Sequence, residues 1–93
     1  MGAGNLRYHI FFSGVVQGVG FRFTARTLAR QYAVNGWVRN LKDNKVEVLA
    51  EGPSGALVSF LSDLKHQFRN GINHCEVKES KASGEFTKFD IYA

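Results

Sequence analysis

The chain has 93 residues, 44% of them hydrophobic and 22% charged, with a formal net charge of +4. These values are typical of one soluble globular domain, and no apolar run is long enough to cross a membrane. The single cysteine, Cys75, excludes an internal disulfide and a site built from several cysteines. We expect Cys75 to be a small, buried or half-buried apolar residue, and the simplest setting is a reducing cytoplasm.

Positive charge is concentrated in the first half of the chain. Residues 1–45 contain seven Lys and Arg and one acidic residue, whereas residues 46–93 contain five basic and seven acidic residues. Such asymmetry is typical of a nucleic-acid or membrane surface, or of a site for a small anion. The short chain has no run of Lys and Arg, which favours the small anion.

Apolar and polar residues alternate from Arg7 to Ser13, which predicts a half-buried strand. His9 lies on the polar face of this strand, where we expect a solvated side chain rather than a ligand. Residues 1–6 precede the pattern and are expected to form a flexible tail. Residues 7–93 are expected to form a single domain.

A helical pattern of apolar residues begins at Phe21, and Asn35-Gly36 marks its end. A short strand is predicted at residues 37–41. Residues 42–45 (Lys-Asp-Asn-Lys) predict a tight hairpin turn, because Asp and Asn tolerate the left-handed conformation. The chain then returns as a strand over residues 45–51.

Gly52-Pro53 starts a second amphipathic helix, which Asn70-Gly71 ends. Residues 73–80 predict a charged edge strand, and residues 87–92 a final strand. The element order is therefore β-α-β-β-α-β plus a terminal strand. This order predicts an α+β fold of the ferredoxin-like split-βαβ type, with two helices on one face of a mainly antiparallel sheet.

The stretch Gly14–Arg22 (GVVQGVGFR) joins the first strand to the first helix and contains Gly14, Gly18 and Gly20. A glycine loop that opens a helix directs several N–H groups and the positive helix end at one place. Arg22 adds a guanidinium at the helix start. The stretch matches neither a Walker A loop nor a dinucleotide fingerprint. It predicts a phosphate-binding cradle, with a simple glycine-rich turn as the alternative.

Other side chains offer few sites for chemistry. The three histidines are scattered, no zinc or calcium spacing occurs, and Cys75 has no identifiable base. Asn40 is unusual because asparagine is disfavoured within strands. It either caps the following turn or lies near the glycine loop, where its amide can hold a water. Arg26 and Arg30 are expected to form a solvated stripe, with a role in substrate capture left open.

Two separated motifs, Gly14–Arg22 and Gly36–Asn40, together resemble the paired signature of the acylphosphatases. Val46–Val48 and Glu51–Pro53 continue the resemblance, which spans about residues 7–92. It is most similar to a stand-alone, bacterial-type member of that family.

Two positions depart from patterns associated with the family. Leu41 follows Asn40 where animal members carry threonine, and Asn44 replaces a hairpin glycine. Neither position belongs to the implied chemistry. Asparagine can adopt the conformation that the turn requires.

The resemblance implies hydrolysis of an acyl phosphate to a carboxylate and inorganic phosphate, without a metal or cofactor. It implies that Arg22 and the loop N–H groups hold the phosphoryl group, and that Asn40 positions the attacking water. The implied substrate-binding loop residues are Val15, Val16, Gln17, Gly18, Val19 and Gly20. The implied partner is a small acyl phosphate, with phosphate as product or inhibitor. We expect a monomer that binds neither nucleic acid nor membrane.

Two alternatives remain. An RNA-recognition module can share this fold, but residues 45–51 contain two acids and no aromatic residue on which a base could stack. The second alternative is a non-catalytic, anion-binding or otherwise specialised acylphosphatase-like domain, and the domain at the front of the hydrogenase-maturation carbamoyltransferases looks similar.

Overall fold

Five segments with strand patterns and two with helical patterns form the elements of this protein, whose computed structural model describes residues 4–93. The elements are β1 (Leu6–Gly14), α1 (Phe21–Gln31), β2 (Asn35–Asn40), β3 (Val46–Gly52), α2 (Ser54–Gln67), β4 (Ile72–Lys81) and β5 (Phe89–Ile91). A short 3₁₀ turn, Lys42–Asn44, joins β2 to β3. The predicted order of elements and the ferredoxin-like α+β fold are confirmed.

The five strands form one mixed sheet in the order β4-β1-β3-β2-β5. β1 pairs with β3 and β4, and β2 with β3, all antiparallel, whereas β5 runs parallel to β2. β4 lies at the edge, as predicted, and its charged side chains discourage pairing with another chain. The register places Ile10 opposite Val48, and Val48 opposite Val38, at the centre of the sheet.

The core lies between the sheet and the two helices. Helix α1 is only 11 residues long, so its stability depends on packing its apolar stripe rather than on propensity. Its first residue, Phe21, is buried and contacts Phe12 of β1 at a ring-centroid distance of 5.0 Å. No helix in the described part of the chain is long and apolar enough to span a membrane.

The opposite face of the sheet carries no helix formed by residues 4–93 but contains buried charge. Glu47 is only 6% exposed, and its two oxygens lie 2.6 Å from His9 Nε2 and 2.7 Å from Arg39 Nε. Burial alone would raise the pKa of Glu47, but the hydrogen bonds from His9 and Arg39 hold that pKa below its usual value. The His9 side chain, expected to be solvated, is 34% exposed and also bonds to this buried carboxylate, so the expectation is correct only in part. Alternation along β1 indicates the face on which His9 lies but not the acid on β3 that it meets.

Glu51 forms a second buried acidic centre on this face. Arg7 approaches it at 2.7 Å, and the N–H groups of Ser83 and Gly84 donate to its carboxylate. These donors outweigh burial and lower the pKa of Glu51.

The predicted tail, residues 1–6, lies partly outside the described residues. Gly4 and Asn5 are exposed, and β1 begins at Leu6, one residue before the predicted start. The division into a tail and a single domain stays a prediction.

Candidate active site

The glycine loop connects the end of β1 to the first turn of α1. Gly18 and Gly20 have φ values of 75° and 79°, whereas the intervening Val19 has a negative φ. Successive residues that alternate between left-handed and right-handed conformations are typical of backbone concavities that bind anions. Gly20 is also the N-cap of α1 and no side chain caps the helix, so the loop and the helix start present backbone donors together.

The loop N–H groups differ in their availability. Val15 N–H donates to the carbonyl of Gly71 at 2.8 Å, which anchors the loop to the segment after α2. Within residues 4–93, the N–H groups of residues 16–20 have no protein acceptor. Val16 is buried in the core, whereas the side chains of Val15 and Val19 are exposed. The loop is therefore fixed at one end and presents unpaired donors along the rest.

Arg22 lies in the first turn of α1, half-buried. Its Nη1 is 3.5 Å from the carbonyl oxygen of Tyr92, whose own N–H donates to Val38 in β2 at 2.9 Å. The Tyr92 ring stacks on Trp37 at a centroid distance of 5.5 Å. Among the described residues no Asp or Glu pairs with Arg22, so its positive charge is not neutralised within the protein.

A cavity of about 190 Å³ lies where the loop, the start of α1 and the end of β2 meet. It is lined by Val16, Gly18, Gly20, Phe21, Arg22, Phe23 and Asn40. This space can accommodate a phosphoryl group with a water molecule, since one water occupies about 30 Å³ of liquid. The two side chains that the sequence singled out, Arg22 and Asn40, thus share one cavity with the glycine loop.

Asn40 is the last residue of β2 and pairs with Val46 of β3. Its Oδ1 is buried and has no hydrogen-bond partner in the described part of the chain. The neighbouring turn is closed instead by the backbone, since Leu41 N–H donates to the Lys45 carbonyl at 2.8 Å. The hydrogen bonds among residues 4–93 therefore give no support to Asn40 as a turn cap. An unsatisfied buried oxygen costs about 1–3 kcal/mol, which favours a functional role.

Two features of the cavity region were missed by the sequence analysis. Phe23 is 61% exposed, lines the cavity, and lies 5.3 Å from the Arg26 guanidinium. Phe23 is an apolar residue that does not follow the helical spacing of the core stripe of α1. This departure is the sequence feature that could have identified it as exposed. The Gln17 side chain donates across to the β2–β3 turn, which no local pattern indicates.

The remaining candidate residues do not line this cavity. Arg26 packs over Phe23, and Arg30 is exposed in the last turn of α1. Cys75 is half-buried in β4, where burial raises the pKa of its thiol and so disfavours the nucleophilic thiolate. Within the described residues, no three His, Cys, Asp or Glu side chains are grouped as a metal site.

Comparison with known proteins identifies close relatives. A sequence model of the acylphosphatase family matches residues 8–91. The chain is 48% identical over 87 residues to an acylphosphatase of Bacillus subtilis, covering 92% of this chain and 96% of that protein. It is 41% identical over 90 residues to an acylphosphatase of Roseiflexus sp., covering 91% and 92%.

A solved structure supports the same relationship. The crystal structure of the Bacillus subtilis acylphosphatase superposes with a TM-score of 0.86 at 39% identity, covering 95% of this chain and 99% of that one. The expected acylphosphatase activity, a hydrolysis of acid anhydrides, is confirmed by these relatives. Because the family model, the relatives and the solved fold each cover nearly the whole chain, this protein belongs to the acylphosphatase family.

Proposed function

We propose that the protein hydrolyses an acyl phosphate to a carboxylate and inorganic phosphate without a metal ion, using Arg22, the loop N–H groups and Asn40. One observation carries this assignment. The unneutralised guanidinium, the unpaired loop donors and an asparagine with an unpartnered oxygen border the same cavity. A site that only binds an anion does not need the asparagine.

The phosphoryl group would occupy the loop. Its oxygens would accept hydrogen bonds from N–H groups of the loop and from Arg22, and the positive end of α1 would add to the attraction. Val15, Gly18 and Val19 complete the proposed binding loop, although the Val15 N–H already donates to Gly71. Val15 then contributes by anchoring the loop rather than by donating to the substrate.

Asn40 would hold the attacking water, because an amide carries both a donor and an acceptor. The water oxygen forms a bond to phosphorus while the bond from phosphorus to the acyl oxygen breaks. The carboxylate leaves with that electron pair, and a phosphoryl oxygen takes the water proton. A carboxylate is a good leaving group, so positioning and charge stabilisation can supply most of the rate without a protein base.

We also propose that the protein is a cytoplasmic monomer that acts on a small molecule and binds no nucleic acid. The helix-free face supports the last point, because Arg7 and Arg39 pair with buried acids there. Size-exclusion chromatography tests the monomeric state, titration with single-stranded RNA tests the absence of nucleic-acid binding, and cell fractionation tests the location. An eluted dimer, or saturable RNA binding at physiological salt, would contradict them.

The assignment is tested by hydrolysis of benzoyl phosphate and acetyl phosphate, with and without a chelator. We expect release of phosphate from both, unchanged by the chelator, and competitive inhibition by inorganic phosphate. No turnover would refute the activity of this chain. Loss of turnover on chelation, with recovery on adding a metal ion, would refute only the metal-free mechanism.

A further inference from the structure

The side chain of Gln17 links the phosphate-binding loop to the strand that carries Asn40. Its Nε2 donates one hydrogen bond to the carbonyl of Leu41 and another to the carbonyl of Lys45, both at 2.8 Å. An amide nitrogen has two hydrogens, so both are used in these contacts. Leu41 directly follows Asn40, and Lys45 directly precedes the start of β3.

We infer that Gln17 is a positioning residue, whose side chain sets the distance between the bound phosphoryl group and the water held by Asn40. This inference rests on the proposed function. Gln17 itself need not touch the substrate through its side chain, because that side chain is directed to the β2–β3 turn.

The other contacts of the loop support this role. At its N-terminal end the loop is anchored to Gly71, whose carbonyl accepts a hydrogen bond from Val15 N–H. In the hydrogen bonds of residues 4–93, the Gln17 amide is the one connection from residues 14–20 to residues 40–46. Without it, the loop and the end of β2 would be connected by hydrogen bonds only indirectly, through β3, whose Val46 pairs with Phe12 of β1 and with Asn40.

The connection through Gln17 matters for catalysis because it lies next to Asn40. The Asn40 side-chain oxygen has no partner among the described residues, so hydrogen bonding does not fix the amide, and its placement follows the backbone of β2. The bond from Gln17 to Leu41 holds that backbone one residue away. A misplacement of about 1 Å between reacting groups can cost about a hundredfold in rate, so a small shift of β2 would be measurable.

The test compares Gln17→Met with the wild-type protein and with Gln31→Met, a matched control at the exposed end of α1. Methionine keeps the length of the side chain but donates no hydrogen bond. We expect kcat for benzoyl phosphate to fall about tenfold to a hundredfold in Gln17→Met. Inhibition by inorganic phosphate should change less than about twofold, because Arg22 and the loop N–H groups remain. Gln31→Met should match the wild-type protein.

A double-mutant cycle with Asn40→Ala separates positioning from general destabilisation. If Gln17 acts through Asn40, adding Gln17→Met to Asn40→Ala should lower kcat by less than about twofold further. If Gln17→Met does not fold, as judged by circular dichroism, Gln17→Leu takes its place, since leucine is uncharged and cannot donate to the two carbonyls.

Several results would overturn the inference. These are an unchanged kcat in the Gln17 variant, a loss of phosphate affinity as large as the loss of kcat, or fully additive effects with Asn40→Ala. A wild-type protein that does not hydrolyse acyl phosphates would refute the proposed function, and this inference with it. Wild-type turnover combined with any of the three results refutes the inference alone.

Discussion

The arginines of this protein have different electrostatic partners. Arg7 and Arg39 form ion pairs with Glu51 and Glu47 on the helix-free face, whereas the Arg22 side chain hydrogen-bonds, among the described residues, only to a backbone carbonyl. A paired guanidinium has little net attraction for another anion, while an unpaired one beside a helix N-terminus attracts anions strongly. Of these three guanidinium groups, that of Arg22 is the one that lines the cavity and has no acidic partner among residues 4–93.

Replacing Arg22 with alanine should lower kcat/KM for benzoyl phosphate by at least about a hundredfold, since it removes the fixed charge that faces the phosphoryl group. Inhibition by inorganic phosphate should weaken in parallel. Arg30→Ala on the same helix is the matched control and should behave as the wild-type protein. Retained turnover in Arg22→Ala would exclude this residue from the cradle.

Replacing Asn40 with alanine should separate binding from turnover. We expect kcat to fall by about a hundredfold or more while inorganic phosphate still inhibits, because the loop donors and Arg22 are unchanged. Asn35→Ala, at the other end of β2, controls for general effects on the strand. Equal loss of phosphate binding and kcat in Asn40→Ala would show that this amide shapes the cradle instead.

At the scale of elements, the site depends on the conformation of the β2–β3 turn. Asp43 and Asn44 have φ values of 66° and 60°, the left-handed conformation expected for these residue types. The departure from the family's glycine at position 44 is therefore accommodated. Because Gln17 donates to this turn, the conformation of the turn also affects the glycine loop on the other side of the cavity.

The turn can be tested by stability measurements. Asn44→Ala should lower the free energy of unfolding by about 1 kcal/mol, since a left-handed conformation is costly for residues with an ordinary Cβ. Asn44→Gly should change it by less than about 0.5 kcal/mol, because glycine adopts this conformation freely. Lys42→Ala, at a negative φ in the same turn, is the control. Equal effects of alanine and glycine at position 44, by urea unfolding, would contradict the explanation.

Local patterns predicted the elements and the parts of the site that depend on local conformation. The left-handed glycines, the stripe of α1 and the turn at residues 42–45 each follow from neighbouring residues. The paired motifs also predicted that Arg22 and Asn40 belong together. Contacts between distant segments were not predictable in this way, because periodicity along one strand carries no information about its partner. His9 with Glu47 is the clearest example.

At the scale of the whole molecule, the two faces of the sheet have different roles. One face packs against the helices, and its end supports the cavity, while the other neutralises buried acids with basic side chains. Folding lowers the pKa of Glu47 and Glu51, so the unfolded chain binds protons more readily than the folded one. Their contribution to stability is therefore complete above their ordinary pKa and decreases as the pH falls below it.

Replacing Glu47 with glutamine should reduce this sensitivity to acid. The wild-type free energy of unfolding should fall as the pH drops below 4.5, the ordinary pKa of a glutamate. The fall should be smaller in Glu47→Gln, because one of the two carboxylates with a lowered pKa is absent. Glu79→Gln, exposed on β4, should keep the wild-type dependence. An identical pH dependence in all three proteins, by urea unfolding, would contradict the coupling.

The stacking of Tyr92 on Trp37 has a consequence for how the protein becomes active. Trp37 is the one tryptophan in the chain, so its fluorescence should report when the segment containing Tyr92 docks. The segment containing Tyr92 adds the contact to Arg22 and the parallel pairing of β5 with β2. Pairings between strands that are far apart in the sequence form slowly. A chain still being synthesised therefore cannot form the contact between Arg22 and Tyr92 until residues 89–92 have been added. In refolding, recovery of activity should follow the tryptophan signal rather than the earlier formation of the helices.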